Sequence, residues 1–172
     1  MKDVLILSIP LAGMLLITYL MLQHFYNKSI DEKDKENNIE KIKTFFPLKI
    51  QAYERAILFL ERIYPNNMII RTHKSGMKAS DLHRELLKII REEYTHNMSQ
   101  QIYINQESWK TLLNAKDETI QIINMSVNHL KQESSGIDLS AKIFEHIGKN
   151  KISPTESARN SIVKEFQSSV NK

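Results

Sequence analysis

The chain has 172 residues, a formal charge of +4, 41% hydrophobic residues, four glycines and no cysteine. The missing cysteines exclude a disulfide framework and thiolate metal sites, and four glycines leave little for a phosphate-cradling loop. A charge this small, with acids and bases alternating through much of the chain, lacks the electrostatic footprint of a nucleic-acid binder.

Residues 4–22 (VLILSIPLAGMLLITYLML) carry no charge. As a helix they would extend ~28 Å, close to the ~30 Å hydrocarbon core of a bilayer. Their leucine, isoleucine and valine side chains supply about −3 to −7 kcal/mol of insertion free energy, and no charge opposes it. Val4, Leu5, Ile6, Leu7, Leu11, Leu15, Leu16, Ile17, Leu20 and Leu22 are the expected lipid-facing anchor. Pro10 and Gly13 are tolerated in a spanning helix. A cleaved signal peptide fits less well, because its apolar region is usually ~7–15 residues and ends at small residues. This run leaves through Gln23, His24, Phe25 and Tyr26. A buried core helix would need a polar face beyond Ser8, Thr18 and Tyr19.

Only Lys2 precedes the run, whereas Lys28, Lys33, Lys35, Lys41 and Lys43 follow it. Positive flanks resist translocation, so the amino terminus is expected outside and the body cytoplasmic, at the inner membrane. The absence of cysteine suits a reducing compartment but equally a periplasmic protein without disulfides.

Residues 27–43 mix five lysines with Asp31, Glu32, Asp34, Glu36 and Glu40, and read as a solvated helical stalk. After Pro47, residues 48–64 have helical spacing. Ala52, Ala56, Leu60 and Ile63 form one stripe, widened by Tyr53, Ile57, Phe59 and Tyr64. Leu58 falls among Gln51, Glu54, Arg55, Glu61 and Arg62 on the polar face, either as ordinary exposed surface or as a partner contact. Pro65, Asn66 and Asn67 stop that helix. Residues 68–78 read as a loop with a β-prone run, MIIRT, a turn at Gly76 and a solvated basic cluster of Arg71, His73, Lys74 and Lys78.

A helix over residues 80–96 is predicted, with Ser80 as N-cap, Asp81 in the first turn and Leu82, Leu86, Ile89 and Ile90 buried. Glu93 and His96 project onto the same stripe. Glu-x-x-His is the spacing of carboxylate-bridged di-iron bundles, but those need a second such motif and two further inward glutamates, which do not appear. A half-buried polar network is therefore preferred over metal, with Glu93 paired to Lys116 or held by Asn97 and Ser99.

Residues 97–107 alternate around Ile102 and Ile104 as if extended. A long helix, about 106–132, would carry Trp109, Leu112, Leu113, Ile120, Ile123, Val127 and Leu130 inward. It would leave Met125, Asn128 and His129 outside, His129 as a solvated residue because no second histidine shares its face. After the breaker ESSG, Asp138 is expected to cap a short helix with Leu139, Ile143, Phe144 and Ile147 inward, stopped at Gly148. Ser153, Pro154, Thr155 and Glu156 have the form of a capping box with proline at the first helical position. The last stripe is Ala158, Ile162, Phe166 and Val170, with Val163 alongside, and it either docks on the domain or waits for another helix.

No G-x-S-x-G, H-E-x-x-H or cysteine nucleophile is present. The segments QAYERAILFLERIYPNN and LHRELLKIIREEYTHNMSQQIYINQESW, behind one N-terminal span, resemble an uncharacterised family of small membrane-anchored helical proteins from Bacteroidota. The resemblance covers about residues 48–130 plus the anchor and leaves the C-terminal tail unmatched. It implies fold and placement only, with no activity, catalytic residue or cofactor to carry over.

The expected architecture is all-α: an N-terminal transmembrane helix (1–26), a charged stalk (27–46), a cytoplasmic bundle of about three to five helices (47–133 for its core) and a helical tail (134–172). The expected function is a membrane-anchored adaptor or accessory subunit binding a protein partner, or a second copy as a homo-oligomer, through Leu58, Ile162 and Phe166, with the bilayer holding its N-terminal helix. No catalysis, cofactor or nucleic acid is expected. The alternative is a metal- or acid/base-dependent membrane-bound enzyme centred on Glu93 and His96.

Overall fold

A computed structural model of the chain describes residues 2–149 and 153–170, with side chains described outside 1–12, 30–32, 34, 37, 38, 150–152, 169, 171 and 172. The described residues are all-α: α1 (Lys2–Arg62), α2 (Pro65–Thr72), α3 (Ala79–Asn97), a 3-10 helix (Met98–Ile102), α4 (Gln106–Asn128), α5 (Gly136–Lys149) and α6 (Pro154–Val170). They divide into two units, Met1–Pro47 and Leu48–Lys172.

From Lys2 onward the first unit belongs to α1. Over residues 14–22 its side chains are largely apolar and exposed: Leu15, Leu16, Ile17, Leu20 and Leu22 each present more than half of their surface to solvent. Thr18 hides its hydroxyl by donating to the Met14 carbonyl at 2.7 Å. Val4, Leu5, Ile6, Leu7 and Leu11, the other half of the expected anchor, lie outside the described side chains. Among the described residues, no helix is long and apolar enough to cross a membrane.

Pro47 does not end a helix, against the sequence expectation: α1 passes through it. A proline removes one N–H and crowds the preceding turn, but Pro47 is exposed, so water can take the carbonyl it leaves unbonded. The second unit begins with the C-terminal part of α1, where Ala52, Tyr53, Ala56, Phe59 and Leu60 are all buried, as is Ile63 just past its end, as their spacing predicts.

The stop after Arg62 also starts the next helix. Pro65 occupies the first turn of α2, where its missing N–H costs nothing, and Met68 and Ile69 are buried. The expected β-prone loop is therefore a helix: burial of Met68 and Ile69 at helical spacing outweighs the propensity of MIIRT. The turn at Gly76 does form, with φ at +77°, where a side chain would be strained.

Helix α3 starts at Ala79, one residue before the expected Ser80 cap, with Lys78 as its N-cap. Tertiary pairing fixes that start. The Ala79 N–H donates to the Ser134 carbonyl at 2.9 Å, and the Gly136 N–H donates to the Met77 carbonyl at 2.7 Å. Gly136 is needed there, because a Cβ would lie 2.9 Å from His73 Cδ2 and 3.0 Å from the Met77 carbonyl oxygen. Leu82, Leu86 and Ile90 are fully buried, while Ile89 packs at the edge of the core.

The stretch expected to be extended is instead a 3-10 turn after α3. Ile102 is 76% exposed, while Ile104 is buried. Asn105 then caps α4 by accepting the Ser108 N–H at 2.8 Å. Helix α4 packs against α3, α5 and α6. Its buried set includes Ser108, Ala115, Thr119 and Ser126, which a stripe of large apolar residues misses. Thr119 and Ser126 stay buried because their hydroxyls donate to the Ala115 and Ile122 carbonyls, at 2.7 and 2.8 Å. The helix ends at Asn128, short of residue 132, as the Leu130 N–H turns back to the Val127 carbonyl.

Helix α5 is capped from Ser135 rather than from Asp138. The Ser135 hydroxyl accepts the Asp138 N–H at 3.2 Å, and the Asp138 carboxylate accepts both the N–H and the hydroxyl of Ser135, each at 2.8 Å. This is a reciprocal capping box. The Ser135 N–H and hydroxyl hold the Asp138 carboxyl below its ordinary range. Gly148 lies inside α5, which continues to Lys149. Helix α6 starts at Pro154 as expected, but the box does not close. The Ser153 hydroxyl meets Thr155 Oγ1 at 2.8 Å, and Glu156 lies 4.0 Å from Arg159 instead.

Candidate functional site

Within the second unit α6 packs along α4. Its position is fixed by a carboxylate. Glu165 accepts the Tyr53 hydroxyl at 2.7 Å, Asn105 Nδ2 at 2.9 Å and the Ser108 hydroxyl at 3.2 Å. The Asn105 N–H in turn donates to the Tyr53 hydroxyl oxygen at 3.4 Å. Three elements, α1, the start of α4 and α6, are thus joined at one acid. Burial, reinforced by the bond to Glu165, pushes the Tyr53 hydroxyl up to about 12. A second tie closes the other end of α6, where Arg159 Nη1 meets Glu61 Oε1 at 2.7 Å.

Between α1 and α6 the docked helices leave a groove of about 570 Å³ lined by Ile50, Tyr53, Glu54, Ile57, Leu58, Ile162, Val163, Phe166 and Gln167. Ile162, 1% exposed, is its floor. Leu58 and Val163 stand on its walls, 56% and 39% exposed. The Phe166 ring lies 5.0 Å from that of Tyr53, so the Glu165 latch also orients an aromatic wall. The structure therefore gathers Leu58, Ile162 and Phe166, singled out separately in the sequence, into one apolar surface. Ile50 and Val163 complete it. Sequence spacing alone does not pair α1 with α6, so the groove itself was not legible, and neither was the Glu165 latch.

Glu93 and His96 part company. The Glu93 carboxylate is half-buried and receives both of its contacts from one Arg62 nitrogen, at 3.1 and 3.2 Å, while its backbone carbonyl accepts Asn97 Nδ2 at 2.8 Å. Lys116, the expected partner, instead pairs with Asp117 at 3.0 Å and lies over the Tyr94 ring at 4.6 Å. His96 is exposed, not on the buried stripe. The ring of Tyr94, at i+4 from Ile90, meets those of Phe59 and Trp109, so the inward line Leu82, Leu86 and Ile90 runs on to Tyr94 and leaves His96 off it. Among the described residues, no three histidine, aspartate or glutamate side chains cluster as metal ligands.

Two of the basic residues of the α2–α3 region, Arg71 and Lys78, are engaged. Arg71 donates to the Arg62 carbonyl at 2.7 Å, capping the end of α1, and Lys78 lies 3.4 Å from Glu133. His129 is exposed as expected, but a second histidine does lie beside it: His146 of α5, with ring centroids 6.0 Å apart.

No curated protein and no solved structure matches the chain. A family model does, over residues 1–169, and so reaches through the tail that the sequence resemblance left unmatched. By that match the chain belongs to the family of unknown function DUF7935.

Proposed function

We propose that this chain is a membrane-anchored adaptor or accessory subunit whose α1–α6 groove receives the apolar face of an amphipathic helix from a protein partner. The observation that carries the proposal is Leu58. It lies on the charged side of α1 yet forms the wall of an apolar groove together with Ile162, Val163 and Phe166. Grooves between two helices, walled by exposed aliphatic and aromatic side chains, are the usual seat for an incoming helix that presents anchors at i, i+3 or i+4 and i+7. Filling it removes the exposed parts of Leu58 and Val163 from water at about 25 cal/mol per Å².

Anchoring rests on residues 4–22, with the amino terminus outside and the body on the cytoplasmic side of the inner membrane, as the lysine count on the two flanks argues. Leu15, Leu16, Ile17, Leu20 and Leu22, exposed around the α1 helix, support it, since so large an apolar surface calls for lipid or a partner.

The test is purification of the full chain from membranes in mild detergent, compared with Leu58→Asp. The proposal expects a reproducible protein partner with the natural chain and its loss with the variant. Absence of a partner, or a partner retained unchanged by Leu58→Asp, contradicts it.

A further inference from the structure

At the far ends of α4 and α5 two histidines come together from separate helices. His129 is the C-cap of α4, and His146 lies in the last turn of α5. The state of His146 follows from its partners. Its Nδ1 lies 3.0 Å from the Lys142 carbonyl, which can only accept, and 2.9 Å from the Ser126 hydroxyl, whose own proton goes to the Ile122 carbonyl. Nδ1 therefore carries the proton and donates to both. The lone pair is left on Nε2, which makes no hydrogen bond among the described residues. Because no described buried side-chain nitrogen or oxygen lacks a partner, Nε2 reaches solvent.

An imidazole with one nitrogen donating to a backbone carbonyl and the other open is arranged as metal-ligating histidines are, the outer bond fixing the tautomer and the ring. The separation fits as well. With a metal–nitrogen distance of about 2.0–2.1 Å, an imidazole centroid stands roughly 3.2 Å from the ion, so two rings on one ion have centroids about 5.2 Å apart at a tetrahedral angle and about 6.4 Å apart when linear. The observed 6.0 Å lies between those limits, but the rings are stacked with 26° between their planes, so the His129 ring must turn before both in-plane lone pairs meet one ion. His129, exposed at the end of its helix, can turn to meet the ion without disturbing the core.

We infer that His129 and His146 form a binding site for a late first-row divalent cation of the zinc and copper class. Imidazole suits these ions, and water would complete the coordination. The bound ion clips the C-terminal end of α4 to that of α5. No catalytic step is attached to it, and the site does not depend on the groove.

The experiment is calorimetric titration of the untagged full chain, in detergent, with zinc alone and copper alone, alongside thermal melting with and without zinc. Saturable binding of one equivalent and a zinc-dependent rise in Tm are expected. His129→Ala, a change at an exposed position that leaves the fold intact, weakens binding about tenfold or more and removes the rise in Tm. His146→Ala does the same, and should it fail to fold, His129→Ala alone decides. His96→Ala leaves both readouts unchanged. No saturable binding, binding that survives His129→Ala, or binding lost with His96→Ala instead would overturn the inference.

Discussion

At Tyr53 a single hydroxyl joins three parts of the fold, donating to Glu165 and accepting from the Asn105 backbone. Tyr53→Phe leaves a carboxylate oxygen and a backbone N–H short of a partner, at a cost of about 1–3 kcal/mol of unfolding free energy by denaturant titration. The same hydroxyl sets an alkaline limit. Its value is about 12 when folded against an ordinary 10.0, so the unfolded chain gives up its proton first as pH rises. The contribution is intact below pH 10, is lost progressively towards about 12, and is absent from Tyr53→Phe. Stability curves of the two proteins should therefore converge across that window. Leu58 is the opposite case. With 56% of its surface exposed and no polar partner, Leu58→Asp should change stability by no more than about 0.5 kcal/mol, so that any loss of partner binding belongs to the groove and not to the fold.

The helical elements with strong periodicity were legible. The stripe Ala52, Ala56, Leu60 and Ile63 and the stripe Leu82, Leu86 and Ile90 are buried as their spacing predicts. What local pattern missed was decided by contacts distant in sequence. MIIRT is helical because Met68 and Ile69 face the core, and α3 starts at Ala79 because the Ala79 N–H donates to the Ser134 carbonyl and the Gly136 N–H to the Met77 carbonyl, across the α3 and α5 entries. Thr119 and Ser126 were skipped because a hydroxyl that bonds its own helix behaves as a small buried group. The candidate site was half legible. Its side chains Leu58, Ile162 and Phe166 could be named, while their meeting required the docking of α6, which Glu165 and Arg159 direct. At this scale Gly136→Ala is the sharp perturbation. Its Cβ would meet the Met77 carbonyl, which is itself bonded to the Gly136 N–H, so the α3 and α5 starts must separate. A loss of about 1–3 kcal/mol is expected, measured as a fall in Tm. Ser135→Ala, which opens the capping box, should cost about 1 kcal/mol by the same measure.

For the whole molecule the question is what the apolar amino-terminal run and the groove do together. Insertion of residues 4–22 is worth about −3 to −7 kcal/mol, and a lysine near the centre of a span costs about 2.5–3.5 kcal/mol. Replacing both Leu15 and Leu16 by lysine should therefore cancel the gain and move the chain from the membrane pellet to the supernatant after alkaline extraction. A natural chain already in the supernatant would end the anchor proposal. The central claim, that the groove takes a protein partner at the membrane, is tested most directly by photo-cross-linking in intact membranes. A photoreactive residue is placed at position 58 and, as a control, at Ile102, which is apolar and 76% exposed but outside the groove. One discrete cross-linked protein species from position 58 and none from position 102 is the predicted result. No adduct at position 58, or the same set of adducts at both positions, would contradict it.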